Sequence, residues 1–211
     1  MRAADVKKAY VTLALIGVNV LIFLIMKIMA PGGYEYQVLM VRWGASVTSS
    51  IAQDGELWRL FTCIFLHFDV MHLANNMIVL FVLGLLLETN AGHWRMAAIY
   101  FLSGVGANVF SVLWEVRNGE EVLSAGASGA IFGLMGAVVF AALFAREVVG
   151  GLSLMQVILM VVLSLYHGVN EAVDDAAHLS GLVLGFLAAA AVIGIFRKKK
   201  EPPAPLQEQE W

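Results

Sequence analysis

The sequence predicts an all-α membrane protein in which six transmembrane helices form one bundle. Of its 211 residues, 60% are hydrophobic and 14% are charged, whereas soluble domains average about half apolar and about a quarter charged residues. A helix needs about 20 apolar residues to cross a bilayer. Six stretches without Asp, Glu, Lys or Arg approach or exceed that length, at 9–26, 70–87, 96–114, 122–145, 148–170 and 176–196.

These stretches follow one another too closely to leave room for a second, soluble domain. Lipid offers no partner to a free backbone amide, so each stretch is predicted to be a helix. The domain prediction is a short segment at 1–8, a membrane domain at 9–196 and a polar tail at 197–211. The first stretch is long for a signal peptide and no small-x-small cleavage site follows it, so we expect a retained first helix.

The distribution of Lys and Arg predicts the orientation, because cytoplasmic loops carry the excess of these residues. Six helices put both termini on one side, and that side has nine basic residues, namely Arg2, Lys7, Lys8, Arg95, Arg146, Arg197, Lys198, Lys199 and Lys200. The other side has four, namely Lys27, Arg42, Arg59 and Arg117. We therefore expect both termini in the cytoplasm, with the loops at 30–67, 115–122 and 171–175 facing outward. The compact size and the lack of a transit peptide favour a prokaryotic cytoplasmic membrane.

Composition also excludes several classes of function. The formal net charge of −3 and the absence of a strongly basic region give no indication of a nucleic-acid partner. Cys63 is the single cysteine, so an internal disulfide is impossible, and we interpret it as a small buried apolar residue. No His-Glu-x-x-His motif occurs, which argues against a metalloprotease. We expect neither a metal site nor a cofactor.

Ser128 lies in a run of small residues, Gly126-Ala127-Ser128-Gly129, at the outer end of the fourth predicted helix. The glycines that continue at Gly133 and Gly136 allow close helix packing. Packing explains the glycines but does not require a serine between them. A serine nucleophile flanked by small residues would have room for a substrate carbonyl, so both interpretations remain open.

His178 lies near the outer end of the sixth predicted helix and shares a helical face with Gly181 and Gly185. An interhelical hydrogen bond is the structural interpretation. The catalytic interpretation is that His178 activates Ser128, because a serine needs a base and histidine is the usual one. Both residues are predicted at similar depth on glycine-faced helices.

His72 and Asn76 are four residues apart on the second predicted helix and therefore share a face. They are candidates for polar contacts between helices or for donors of an oxyanion hole, which stabilise the tetrahedral oxyanion of acyl transfer. The loop before them contains Trp58, Arg59 and His67. We expect that loop to be partly embedded in the membrane, with His67 in a supporting role.

Together these features resemble the rhomboid family of intramembrane serine proteases. The resemblance runs from about Tyr10 to Phe196 and is carried by four motifs in order: Leu57-Trp58-Arg59, His67-x4-His72-x3-Asn76, Gly126-Ala127-Ser128-Gly129 and Ala177-His178-x2-Gly181-x3-Gly185. It implies the minimal six-helix fold with a membrane-embedded first outer loop. It also implies substrates that are single-span transmembrane proteins, cleaved near their outer ends.

The resemblance further implies a role for each site residue. Ser128 would be the nucleophile and His178 the base of a Ser–His dyad, with Asn76 and His72 as oxyanion-hole donors. Phe132 matches an aromatic position that packs on the catalytic imidazole. The segment at about 148–177 resembles the gate that admits substrate.

Two questions remain open at this stage. Asp174 and Asp175 precede His178 closely enough to orient its ring, although a solvated loop is the simpler interpretation. The alternatives to a protease are a rhomboid-like membrane-protein binder without activity and a transporter whose pathway is lined by His72, Asn76 and His178.

Overall fold

The computed structural model describes residues 9–146, 155–156, 159 and 175–194, and these form an almost entirely helical structure. In chain order the elements are α1 (Tyr10–Met29), α2 (Gly33–Trp43), β1 (Ser46–Val47), α3 (Thr48–Ala52), α4 (Arg59–Thr62), a 3₁₀ turn (Cys63–Phe65), α5 (Val70–Ala91), α6 (His93–Asn118), β2 (Leu123–Ser124), α7 (Ser128–Phe144), α8 (Asp175–Ala189) and a π-helical turn (Ala190–Gly194).

The helices confirm the all-α membrane fold. Within the described residues, α1, α5, α6 and the segment Asp175–Ile193 are long and apolar enough to cross a membrane, and α7 is a shorter apolar helix of 17 residues. These elements correspond to five of the six predicted spans. The remaining prediction, at 148–170, lies outside the described residues except for 155, 156 and 159, as do the segments at 1–8 and 197–211.

The end of the second span differs from the prediction, because a charged side chain there is hydrogen-bonded inside the bundle. The second span was predicted to stop at 87, yet α5 continues to Ala91 and includes the buried Glu88. The Glu88 carboxylate accepts hydrogen bonds from Val11 N (2.9 Å), Thr12 N (2.7 Å) and Thr12 Oγ1 (2.6 Å). It thus satisfies free amides in the first turn of α1, whose N-cap residue has no capping side chain.

The fourth span begins later than predicted. Residues 123–124 form strand β2, and the helix starts at Ser128 rather than at 122. Strand β2 pairs antiparallel with β1, with Ser46 opposite Ser124. This pairing ties the first loop to the segment that leads into α7.

The first loop is built from short elements around two buried anchors. Gly44 ends α2 in a left-handed conformation (φ 99°), and Arg59 reaches back to the carbonyl oxygens of Val41 (2.6 Å) and Ala45 (3.0 Å). Tyr36 donates a hydrogen bond to the carbonyl oxygen of His67 (2.7 Å). The loop is therefore a packed structure with its own hydrogen bonds.

Helices α7 and α8 approach each other through glycines. A Cβ atom built on Gly181 would overlap the carbonyl oxygen of Gly129, and one on Gly185 would overlap the carbonyl oxygen of Gly133. Only residues without a Cβ permit such a close contact between backbones. The glycine faces predicted from the sequence therefore meet, and they bring the first turns of α7 and α8 together.

Candidate active site

Ser128 is the first residue of α7 and follows a sharp turn. Gly126 has φ 141°, a conformation that favours glycine, and its N–H donates to the carbonyl oxygen of Cys63 (3.0 Å). Ala127 is fully buried, whereas Ser128 is partly exposed. The turn thus fixes the backbone on the buried side and leaves the Ser128 side chain partly accessible.

His178 lies in the first turn of α8 and is buried, with 6% of its surface exposed. Its imidazole stacks on the ring of Phe132, with centroids 4.2 Å apart and planes inclined by 19°. Phe132 lies one helical turn after Ser128 on α7. Together with the Gly129–Gly181 contact, this stacking holds the imidazole beside the first turn of α7, where Ser128 lies.

His72 and Asn76 approach the same turn from α5. Asp69 caps the start of α5 by accepting a hydrogen bond from His72 N (2.8 Å), which positions the first turn. A Cβ on Gly126 would lie 2.9 Å from both Cε1 and Nε2 of His72 and 3.7 Å from Nδ2 of Asn76. Both side chains therefore lie against the backbone two residues before Ser128.

The amide of Asn76 is a buried donor directed at this turn. Asn76 is 8% exposed, and its Nδ2 has no hydrogen-bond partner among the described residues. An unbonded buried amide is costly, by about 1–3 kcal/mol. A developing oxyanion near the N-terminus of α7 would supply the missing acceptor.

The geometry agrees with the comparison to known protein families. A family model described as Rhomboid domain matches residues 54–195, which is more than half of the chain. The chain belongs to the rhomboid family. The family's helical membrane fold is the fold described above.

Curated relatives include proteins named as rhomboid proteases. The chain is 35% identical over 182 residues to Rhomboid protease GluP of Bacillus subtilis (strain 168), covering 86% of this chain and 34% of that protein. It is 30% identical over 206 residues to Rhomboid protease AarA of Providencia stuartii, covering 86% of this chain and 72% of that protein. It is also 38% identical over 160 residues to RHOMBOID-like protein 5 of Arabidopsis thaliana, covering 72% of this chain and 51% of that protein. The chain thus spans about half of the length of RHOMBOID-like protein 5 and about a third of the length of GluP.

His67 supports His72 in this rhomboid chain. His67 is fully buried, and its ring meets the ring of His72 edge-on with centroids 5.1 Å apart. On its other side, His72 stacks on Phe68 at 6.0 Å. Burial, helped by the neighbouring His72, lowers the pKa of His67 to about 3, so the ring is neutral at physiological pH.

Trp58 and Arg59 have a structural role in the first loop. The Arg59 guanidinium lies 4.6 Å from the Trp58 ring and makes an ion pair with Glu56 (2.5 Å). Its two bonds to carbonyl oxygens satisfy Val41 near the end of α2 and Ala45, the second residue after it. Neither residue contacts the turn at Gly126 through any described hydrogen bond or ring contact.

The two acidic residues before His178 differ in what the structure describes. Asp174 lies outside the described residues, so its predicted influence on His178 stays a prediction. Asp175 is the first residue of α8 and its side chain is exposed. Its position at a helix N-terminus is favourable for a negative charge.

Two buried carboxylates were not singled out from the sequence. Glu88 contacts α1 and also bonds His93 Nδ1 (2.7 Å), and Glu115 accepts hydrogen bonds from Thr48 Oγ1 (2.6 Å) and Ser111 Oγ (2.9 Å). Each joins a spanning helix to another part of the chain. Their signal in the sequence was an acidic residue bordering an apolar run, which is normally taken as the end of the span.

Proposed function

We propose that this rhomboid chain is an intramembrane serine endopeptidase in which Ser128 is the nucleophile and His178 the general base. The observation that carries the proposal is the stacking of His178 on Phe132, one turn from the partly exposed Ser128. Further support comes from His72 and Asn76, which approach the same turn from α5.

The proposed reaction proceeds in two stages. His178 accepts the proton of Ser128 as the serine oxygen attacks the scissile carbonyl carbon, and the carbonyl oxygen becomes an oxyanion. His178 then gives that proton to the leaving amine, which leaves an acyl-enzyme. Water, deprotonated by His178, attacks the ester and releases Ser128 and the new carboxylate.

Asn76 and His72 are the proposed side-chain donors to the oxyanion. The Ser128 N–H is free of an intrahelical acceptor because it lies in the first turn of α7, and it is a third donor. Each such donor contributes about 2.7–4 kcal/mol when it is aligned with the developing charge. The electric field at a helix N-terminus acts in the same direction.

The proposed substrates are single-span transmembrane proteins cleaved near the outer end of their membrane segment. A helical segment keeps its amides in its own hydrogen bonds, so a peptide bond becomes accessible only where the helix unwinds. Residues such as Gly and Pro weaken a helix. We expect cleavage next to such residues, at the depth of Ser128.

The proposed location is a prokaryotic cytoplasmic membrane, with both termini in the cytoplasm. The excess of Lys and Arg on the terminal side supports this orientation. The site then opens to the outside, where water for the second stage is available.

The direct test is cleavage of a single-span substrate in liposomes containing the purified protein. We expect wild type to cleave it and Ser128→Ala to lose activity by at least about 10³-fold. Ser180→Ala is a matched control, because among the described residues Ser180 Oγ bonds only carbonyls of its own helix, at Ala176 (2.6 Å) and Ala177 (3.3 Å). Cleavage that persists in Ser128→Ala would refute the proposal.

Labelling with a fluorophosphonate separates a protease from a rhomboid-like binder without activity. We expect folded wild type to be labelled and both Ser128→Ala and His178→Ala to remain unlabelled. A folded wild type that does not react at Ser128 would favour the binder.

A further inference from the structure

A cavity of about 390 Å³ lies between the end of α1 and one face of α2. Its apolar lining includes Met29, Val38 and Leu39, and Glu35 and Arg42 provide one charge of each sign. It is open to the surface, because Met29, Tyr34, Glu35 and Arg42 in its lining are all exposed. The cavity is separate from the turn that carries Ser128.

The cavity lies at the depth of a membrane interface. The first turn of α1 bonds Glu88 near the end of α5, so the two helices are antiparallel. Met29, at the other end of α1, is therefore on the same side as the start of α5. Because α1 has the length and composition of a membrane span, its end lies where lipid headgroups meet the acyl chains.

The helix α2 has one buried face and one face toward the cavity. Tyr36 and Met40 are buried beneath it, whereas Glu35, Leu39 and Arg42 recur at helical spacing on the cavity side. Tyr34, which is 80% exposed, lies next to Glu35. An exposed tyrosine at this position is typical of the membrane–water interface.

Glu35 and Arg42 have no polar partner in the part of the chain that the structure describes. They are seven residues apart, about 10.5 Å along the helix, which is too far for the ion pairs that form at spacings of three or four. The nearby Lys27 does not compensate for Glu35, because its ammonium lies over the Tyr36 ring (3.7 Å) and bonds the Pro31 carbonyl oxygen (3.5 Å).

We propose that this cavity binds the headgroup of a zwitterionic phospholipid that carries a primary ammonium, such as phosphatidylethanolamine. Arg42 binds the phosphate, to which a guanidinium donates two parallel hydrogen bonds. Glu35 accepts hydrogen bonds from the ammonium group. Met29, Val38 and Leu39 contact the glycerol backbone and the first carbons of the acyl chains.

The two opposite charges distinguish this lipid from its competitors. An anionic lipid such as phosphatidylglycerol satisfies Arg42 but leaves Glu35 without a cation. A choline lipid has no ammonium N–H to donate to Glu35. A basic side chain near an anionic headgroup contributes about fivefold in affinity, equivalent to about 1 kcal/mol, and we expect a similar factor from Glu35 beside an ammonium group.

The test is lipid binding to detergent-purified protein, counted by native mass spectrometry as each of these three lipids is added. We expect wild type to bind phosphatidylethanolamine at least about fivefold more tightly than the other two lipids. Arg42→Gln should weaken the binding of all three, and Glu35→Gln should abolish only the preference for the ethanolamine headgroup. Arg117→Gln and Glu120→Gln are the controls, because both residues are exposed on the same side but do not line the cavity.

The proposal is overturned if wild type prefers phosphatidylglycerol, if it binds the choline and ethanolamine lipids equally, or if the cavity variants behave like the two controls. Since Glu35 and Arg42 are exposed, neither substitution should impair folding. Unfolding temperatures without added lipid verify this. The readout does not depend on proteolysis, so it is independent of the proposed function.

Discussion

The packing of α7 on α8 can be tested by adding one methyl group at Gly185. A Cβ there would overlap the carbonyl group and Cα of Gly133, which belong to a helix backbone and cannot rotate away. Ordinary contact between nonbonded carbon atoms begins at about 3.5 Å, so the helices would have to separate by on the order of 1 Å. Overpacking of this kind costs about 1–3 kcal/mol, partly offset by up to about 1 kcal/mol of better helix propensity.

The same displacement should impair catalysis more than stability. His178 is on α8 and Ser128 is on α7, so separating the helices changes the distance between the proposed base and the proposed nucleophile. A displacement of about 1 Å costs about 10²-fold in rate. We therefore expect Gly185→Ala to reduce kcat by about 10²-fold and to lower the unfolding temperature in detergent.

Two other glycines provide matched controls for this substitution. A Cβ on Gly106 would meet only the end of the flexible Leu184 side chain (2.6 Å), and one on Gly17 would meet nothing within 4 Å. Gly106→Ala should thus have little effect, and Gly17→Ala should be neutral or stabilising. If Gly185→Ala is as stable and as active as Gly17→Ala, the close glycine contact does not position the site.

Three further predictions concern the α5 side of the site. Asn76→Ala should lower kcat by about 10²–10³-fold with little change in KM, measured from rates over a range of substrate concentrations, because only the transition state carries the oxyanion. Asp69→Ala should lower the free energy of unfolding by about 1 kcal/mol, measured by chemical denaturation, because the N-cap of α5 is lost. Asp69→Asn should keep most of this stabilisation, because both Asp and Asn cap helices. Burial lowers the pKa of His67 from 6.5 to about 3. As the pH decreases, His67 is therefore protonated in the unfolded chain before it is protonated in the folded chain, and the free energy of unfolding should fall between pH 6.5 and about 3. Thermal unfolding at several pH values checks this, and a wild type no more acid-sensitive than His67→Gln would contradict it.

The sequence predicted well the five spanning helices that the structure describes, because hydropathy is a local property. It predicted their ends less well, since Glu88 was taken as a boundary and is in fact bonded within the bundle. The pairing of Ser46 with Ser124 could not be predicted from local patterns. Two-residue strands have no periodicity, and their partners are far apart in the chain.

The candidate site was predictable in part for a similar reason. The spacing of four residues correctly indicated that His72 and Asn76 share a face, and the glycine stripes correctly indicated a close approach of two helices. The position of His72 against Gly126 depends on how α5 packs beside α7. Helical periodicity predicts which residues share a face but not which backbone that face meets.

A buried amide without a partner does not by itself mark a functional site in this bundle. Asn19 Oδ1 in α1 is also buried with no hydrogen bond of ordinary geometry to a described residue, although Asn19 Nδ2 bonds the Leu15 carbonyl oxygen (2.8 Å). Asn76 differs in what lies beside it. Its Nδ2 lies near Gly126, two residues before a helix N-terminus, and the His72 ring occupies the space that a side chain at Gly126 would fill. An unused amide donor, a neighbouring imidazole and the positive end of a helix coincide there, and this combination, rather than the unbonded atom, favours an oxyanion site.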